Sequence, residues 1–165
     1  MIILGIDPGL ALTGYGLVEE RQNGFKRIAS GTVRTSRKTP GALRLAAIYD
    51  AVTELIRQYQ PRAVAVEKLF FCKNVRTAMQ VGEARGTILL AAAKNNLDLY
   101  EYTPLQVKQA VAGYGQADKL QVQRMVELLL KLAQPITAAD EADALAIALC
   151  HLQNFRYHEA VKGGR

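Results

Sequence analysis

Asp7, Glu67, Asp140 and Asp143 are the residues of this chain whose types and spacing suit chemistry. Asp7 ends the apolar run Ile2-Ile3-Leu4-Gly5-Ile6, and Glu67 ends Ala63-Val64-Ala65-Val66. Such runs read as strands buried on both faces, so a charge at the end of each falls at the rim of a sheet, where sites form. Asp140 and Asp143 lie in Thr137-Ala138-Ala139-Asp140-Glu141-Ala142-Asp143-Ala144-Leu145-Ala146. Three residues apart on a helix, they share a face, roughly 60° from one another. Glu141 is about 100° round from Asp140 and stays outside the set. Two unit charges ~4 Å apart repel by about 4 kcal/mol at an effective dielectric near 20, so a gathered cluster must take up protons or hold divalent cations. All-oxygen donors suit magnesium or manganese.

The elements that must position these acids follow from pattern and punctuation. Asp7-Pro8-Gly9 makes a turn after the first strand, Thr13 to Glu19 alternates as a second, and Phe25 to Thr35 forms a third. Their short connections favour antiparallel pairing, because a parallel pair needs a crossover of a dozen or more residues. From Gly41 to Tyr59, Leu43, Ala46, Ala47, Ala51, Leu55 and Ile56 recur at helical spacing, and Pro61 stops the pattern before the strand that ends at Glu67. Asn74 is placed to cap a helix running to about Asn95, with Val75, Ala78, Met79, Gly82, Gly86, Leu89 and Ala93 on one stripe. Leu97 to Thr103 is a fifth strand, Pro104 opens a short helix, Gly113-Tyr114-Gly115 breaks it, and another helix runs from about Lys119 to Leu132. The terminal helix starts at Thr137-x-x-Asp140, turns Leu145, Leu149 and Leu152 inward and fades near Phe155. The result is an α/β chain with a five-stranded mixed sheet, its first three strands antiparallel, flanked by helices. One domain spans residues 1–156, followed by a loose, disordered basic tail over 157–165.

Each acid also has a plain structural role open to it. Asp7 suits an Asp-Pro-Gly turn, Glu67 a solvated strand end, and Asp140 a capping box begun by Thr137. Asp143 fits such a role least, lying past the first turn among Ala142, Ala144, Leu145 and Ala146. The joint occurrence of the four carries the chemistry. A length of 165 residues, half of them apolar, gives one domain with a real core. The net charge of +6 coexists with the acidic set, as expected of a protein that holds metal ions in its site and a polyanion, nucleic acid, on its surface. No signal peptide and no run of roughly 18 apolar residues is present, so a cytoplasmic location is expected. Cys72 and Cys150 are far apart and, like His151 and His158, lack soft-metal spacing.

The chain as a whole resembles the RuvC-type Holliday-junction endonuclease family, within the ribonuclease-H-like fold. The resemblance rests on Ile6-Asp7-Pro8-Gly9, Gly14-Tyr15-Gly16, Glu67-Lys68-Leu69-Phe70, Lys73-Asn74, Ala84-Arg85-Gly86, Gln106-Val107-Lys108-Gln109 and Asp140-Glu141-Ala142-Asp143-Ala144-Leu145-Ala146, in order. It implies a homodimer, metal-dependent cutting of two strands at a four-way DNA junction during recombination and repair, and cooperation with RuvA and RuvB, a junction binder and a branch-migration motor. The family's acidic tetrad falls on Asp7, Glu67, Asp140 and Asp143. Two Mg2+ ions are expected, with Mn2+ as a substitute, one on each side of a phosphate. Asp7 is the candidate to bridge them.

Phe70 and Phe71 follow Glu67 in a stretch with Lys73 and Arg76, and aromatic rings beside basic residues are what unpaired bases stack on. Phe70 is assigned to a base and Phe71 to the core; Lys73 and Arg76 join the DNA-binding set. Lys108 and Lys119 match basic positions of the family. Three rivals stand against this assignment: a junction-binding scaffold that does not cut, a ribonuclease-H-like nuclease acting on RNA, and a sugar-kinase-type phosphotransferase. The last needs two such domains and more residues than are present.

Overall fold

Among the described residues, the elements run β1 Ile2–Asp7, β2 Leu12–Arg21, β3 Gly24–Arg34, α1 Gly41–Tyr59, β4 Ala63–Glu67, α2 Val75–Lys94, β5 Asp98–Tyr102, α3 Pro104–Ala112, α4 Lys119–Leu129 and α5 Ala139–Gly163. They belong to a computed structural model that describes residues 1–68 and 75–163, with side chains described for 1–68 and 77–155. The sheet order is β3-β2-β1-β4-β5. β1 pairs antiparallel with β2 and β2 with β3, whereas β4 pairs parallel with β1 and β5 with β4. This is the expected five-stranded mixed sheet, with its first three strands antiparallel. The β1–β4 register aligns Ile6 with Val66, which brings the carboxyl ends of both strands, Asp7 and Glu67, to the same edge.

Alternation along β1 divides the molecule into layers. Leu4 and Ile6 face a core shared with Leu17, Val64 and Val66, covered by Ile48, Val52 and Ile56 of α1 and Ala84, Ile88, Ala91 and Ala92 of α2. Ile3 faces the other way with Val18, Ala63 and Ala65, beneath α3, α4 and α5. Fully burying one such aliphatic side chain contributes about 1.5–3 kcal/mol, so each layer has ample reason to close. α5 lies deepest, with Ala144 to Cys150 and Leu152 almost wholly buried between the sheet and the two shorter helices.

Local chemistry accounts for the helix ends. α1 stops where Gln60 adopts left-handed backbone (φ 46°), just before Pro61. α3 begins with a capping box between Thr103 and Gln106 and has Pro104 in its first turn; α4 begins with a second box between Asp118 and Gln121. Among the described residues the buried stripe of α2 is Ala84, Ile88, Ala91 and Ala92, while Met79 and Gly86 are exposed. Two expectations are corrected. α4 ends at Leu129, three residues early, where Leu130 caps it and Lys131 turns left-handed. α5 does not fade near Phe155: the helix runs on to Gly163, through Glu159, Ala160, Val161 and Lys162.

Candidate active site

Three glycines let α5 rest directly on the sheet. A Cβ at Gly5 would stand 2.2 Å from the Ala144 carbonyl oxygen, one at Gly14 1.9 Å from that of Asp140, and one at Gly16 2.7 Å from the Leu145 side chain. Gly5 and Gly16 are register partners, and Gly14 pairs with Asp7, so the three form a groove across β1 and β2. Glycine within a strand commonly marks such a close approach of another backbone. Helix α5 begins at Ala139 with the Ala138 carbonyl accepting from the Ala142 N–H, which puts Thr137 outside the cap position and removes the capping-box role for Asp140. Glu141 bonds outward instead. It accepts from Ser30 Oγ at 2.6 Å and lies 3.8 Å from the Arg27 guanidinium, tying the first turn of α5 to β3. This tether was not anticipated from sequence, where helical angle alone set Glu141 aside.

Asp7, Glu67 and Asp143 line one cleft with Pro104, Val107, Lys108, Lys119, Val122, Ala146 and Ile147, a cavity of about 310 Å3. Asp140 is not part of that lining, but its charge acts on Asp7. Burial first, then the charges of Asp143, Glu67 and Asp140, push the Asp7 carboxyl up to about 7, with Lys119 opposing. Glu67 is raised as well, by burial and then by Asp143, again against Lys119. Lys119, the first residue of α4, donates from Nζ to Asp143 Oδ2 at 2.8 Å, and that bond raises its own pKa. The four acids and Lys119 therefore act on one another as one electrostatic unit, and Lys108 lines the same cleft. Among the described residues, no three acid, histidine or cysteine side chains close on one point as a finished metal cage. The ammonium of Lys119 supplies local counter-charge beside Asp143.

Of the other expected contacts, Phe70 and Lys73 fall outside the described residues, as does the side chain of Arg76 at the start of α2. Two further groups stand near the site without having been singled out. Tyr102 pairs in register with Glu67, and its hydroxyl meets His151 Nδ1 of α5 at 2.8 Å, joining β5 to the helix that carries the two aspartates. Burial depresses the His151 pKa to about 4, so it sits there as a neutral imidazole. Cys150 beside it is a buried free thiol.

A mixed sheet with acids at the carboxyl ends of its central strands, faced by a helix that brings two more, defines a ribonuclease-H-like nucleic-acid hydrolase frame. The family model described as crossover junction endodeoxyribonuclease RuvC matches residues 3–151. Proteins named crossover junction endodeoxyribonuclease RuvC from Alkaliphilus metalliredigens and Pelotomaculum thermopropionicum are 53% and 49% identical over 162 residues, each match covering 98% of this chain and 99% of the relative. The solved structure of Thermus thermophilus RuvC in complex with a Holliday junction substrate is 38% identical, with a TM-score of 0.92 and 96% of each chain covered. The chain belongs to the RuvC family of crossover junction endodeoxyribonucleases. No described helix is long and apolar enough to cross a membrane.

Proposed function

We propose that this protein resolves four-way DNA junctions by paired phosphodiester hydrolysis, in homologous recombination and DNA repair. The observation that carries it is the meeting of Asp7, Glu67 and Asp143 in one cleft that also holds Lys108 and Lys119, with the charge of Asp140 acting on Asp7 from beyond the lining. Carboxylates this crowded, one of them pushed to about 7, lack positive charge, and their oxygens suit Mg2+, with Mn2+ as a substitute. Two such ions, when bound, supply Lewis-acid activation of water and neutralise charge on the phosphate. Asp7 on the central strand would hold both, flanked by Glu67 on one side and the α5 pair on the other. Lys108 and Lys119 draw the phosphate into the cleft, and Lys119 has only to release Asp143 to do so. Phe70 offers a ring to an unpaired base, with Lys73 and Arg76 against the backbone phosphates. The nuclease unit is taken as residues 1–156, working in the cytoplasm as a homodimer that receives junctions from RuvA and RuvB.

The test compares a synthetic four-way junction, a linear duplex and an RNA–DNA hybrid of equal length, in magnesium and in EDTA. Cutting confined to the junction and to magnesium is expected. Preference for the hybrid would move the protein to RNA chemistry; tight junction binding without any cutting would make it a scaffold. Asp7→Asn, Glu67→Gln, Asp140→Asn and Asp143→Asn should each abolish most cleavage while binding the junction as well or better, since each removes negative charge facing phosphate. Near-normal cutting by Asp7→Asn would sink the assignment.

A further inference from the structure

The positive charge of this protein is concentrated in one segment. Residues 21–49 contain seven bases, Arg21, Lys26, Arg27, Arg34, Arg37, Lys38 and Arg44, and no acid; the other fourteen bases and fifteen acids of the chain leave a charge of −1. Arg21 and Arg27 have carboxylate partners. Arg34, Arg37 and Lys38 are exposed, and among the described residues none has a carboxylate within ion-pair distance. The first turn of α1, which follows them, carries no acid.

Topology sets these three at the edge of the sheet that bears Asp7 and Glu67. Leu12 pairs with Arg34 and Gly14 with Thr32, so β3 ends where β1 and β4 end. Gly14 lies against Asp140, and Ser30 bonds to Glu141. By alternation Arg34, four residues beyond Ser30, points to that same α5 side. Two strand spacings, ~10 Å, separate β3 from β1, which is about three nucleotide steps of a duplex at ~3.4 Å per step. The segment is also anchored to the site. Arg44, 8% exposed, donates from Nε to Thr35 Oγ1 at 2.8 Å, Thr35 Oγ1 donates to the Leu10 carbonyl at 2.5 Å, and the Thr35 N–H donates to Ala11 at 3.1 Å. The basic loop is therefore fastened to the turn that follows Asp7.

We propose that Arg34, Arg37 and Lys38 form a second phosphate-binding site, which grips the backbone of a duplex arm about three nucleotides from the scissile phosphate. This rests on the cleft being a junction nuclease. The cations fix where the arm leaves the cleft, and the Arg44–Thr35–Leu10 relay keeps their distance from Asp7 constant.

Salt dependence tests it. Junction affinity of the full chain is measured from 50 to 200 mM salt for the unaltered protein, Arg34→Ala, and the triple variant Arg34→Ala/Arg37→Ala/Lys38→Ala. Lys26→Ala and Arg62→Ala, which remove exposed charge at the opposite edge of the sheet, are the controls. Each lost phosphate contact lowers the slope of log K against log salt by about 0.9, so the triple variant should lose roughly 40-fold of the salt-induced weakening across that range. The controls should keep the full slope. Neutral methylphosphonates about three nucleotides from the cut should reproduce the loss in the unaltered chain and add nothing to the triple variant. If the triple variant melts early, Arg34→Ala alone decides by its single-contact loss. A triple variant that melts normally and keeps the full slope overturns the site, as does a loss of slope equally large in the controls. An unaltered chain that neither binds nor cuts a junction overturns the nuclease function instead, so the two failures are distinct.

Discussion

Asp7 is in tension with its surroundings. Its carboxyl is buried beside three other acids, which raises its pKa from 3.8 to about 7, so the metal-free folded protein holds this proton more tightly than the unfolded chain does. The associated stability is complete below about pH 4 and is lost as pH rises through about 7. At 1.36 kcal/mol per unit the ceiling is roughly 4 kcal/mol, with the opposing charge of Lys119 already included. Asp7→Asn cannot ionise. In EDTA its melting temperature should gain on the parent between pH 4.5 and pH 8, by several degrees at the ~2–4 °C per kcal/mol of a domain this size, and level off above about 7. A difference that stays flat with pH would show that Asp7 is not crowded in solution. The four acids were legible in the sequence because two closed apolar runs and two shared a helical face. Their mutual influence was not, since it depends on how closely α5 approaches β1, and the tether through Glu141 depends on Ser30, 111 residues away.

At the scale of elements, the closeness of α5 to the sheet is the quantity that matters. It is set by the absence of side chains at Gly5, Gly14 and Gly16. At Gly14 a methyl would meet the backbone oxygen of Asp140, which no rotamer change can move. Gly14→Ala should therefore push the first turn of α5 away from β2. Overpacking of this kind costs about 1–3 kcal/mol, and it should also lower the cleavage rate at saturating junction, because Asp140 and Asp143 leave their positions opposite Asp7. Junction affinity should change little. Melting curves and single-turnover cleavage on the same preparation check this, and a variant that melts low yet cuts at the parental rate would separate groove from catalysis. The antiparallel sense of the first three strands was readable from connection length, and the α3 start from Pro104, whereas the order β3-β2-β1-β4-β5 was not. Which face of α2 covers the sheet was not legible, since Gly82 and Gly86 suit close approach by a partner or by the sheet alike; Ala84, Ile88 and Ala91 cover it. The extension of α5 was not legible because the inward apolar pattern ends near Phe155, while helix propensity alone carries the backbone on to Gly163.

For the whole molecule, one cleft per chain fixes what assembly must achieve. Resolving a junction takes two cuts related by the junction's own two-fold symmetry, and a single cleft can make one, so an isologous dimer matches substrate symmetry with enzyme symmetry. The outer face of α2 offers material for such contact: Met79 and Leu90 are 63% and 54% exposed, and a Cβ at Gly86 would meet nothing within 4 Å. Sedimentation at micromolar concentration should give a dimer. Function provides a sharper check. When parent and Asp7→Asn chains are mixed and allowed to exchange, half of the dimers at equal proportions should be hybrids, each with one working cleft. Such hybrids should nick one strand of a junction built into a supercoiled circle and leave the other strand intact, so nicked circles should rise with the proportion of Asp7→Asn while linear product falls faster than the parent fraction. Paired cuts falling only in direct proportion to the parent chain, with no nicked circles accumulating, would mean that each chain makes both cuts alone, and the dimer would then have no catalytic role.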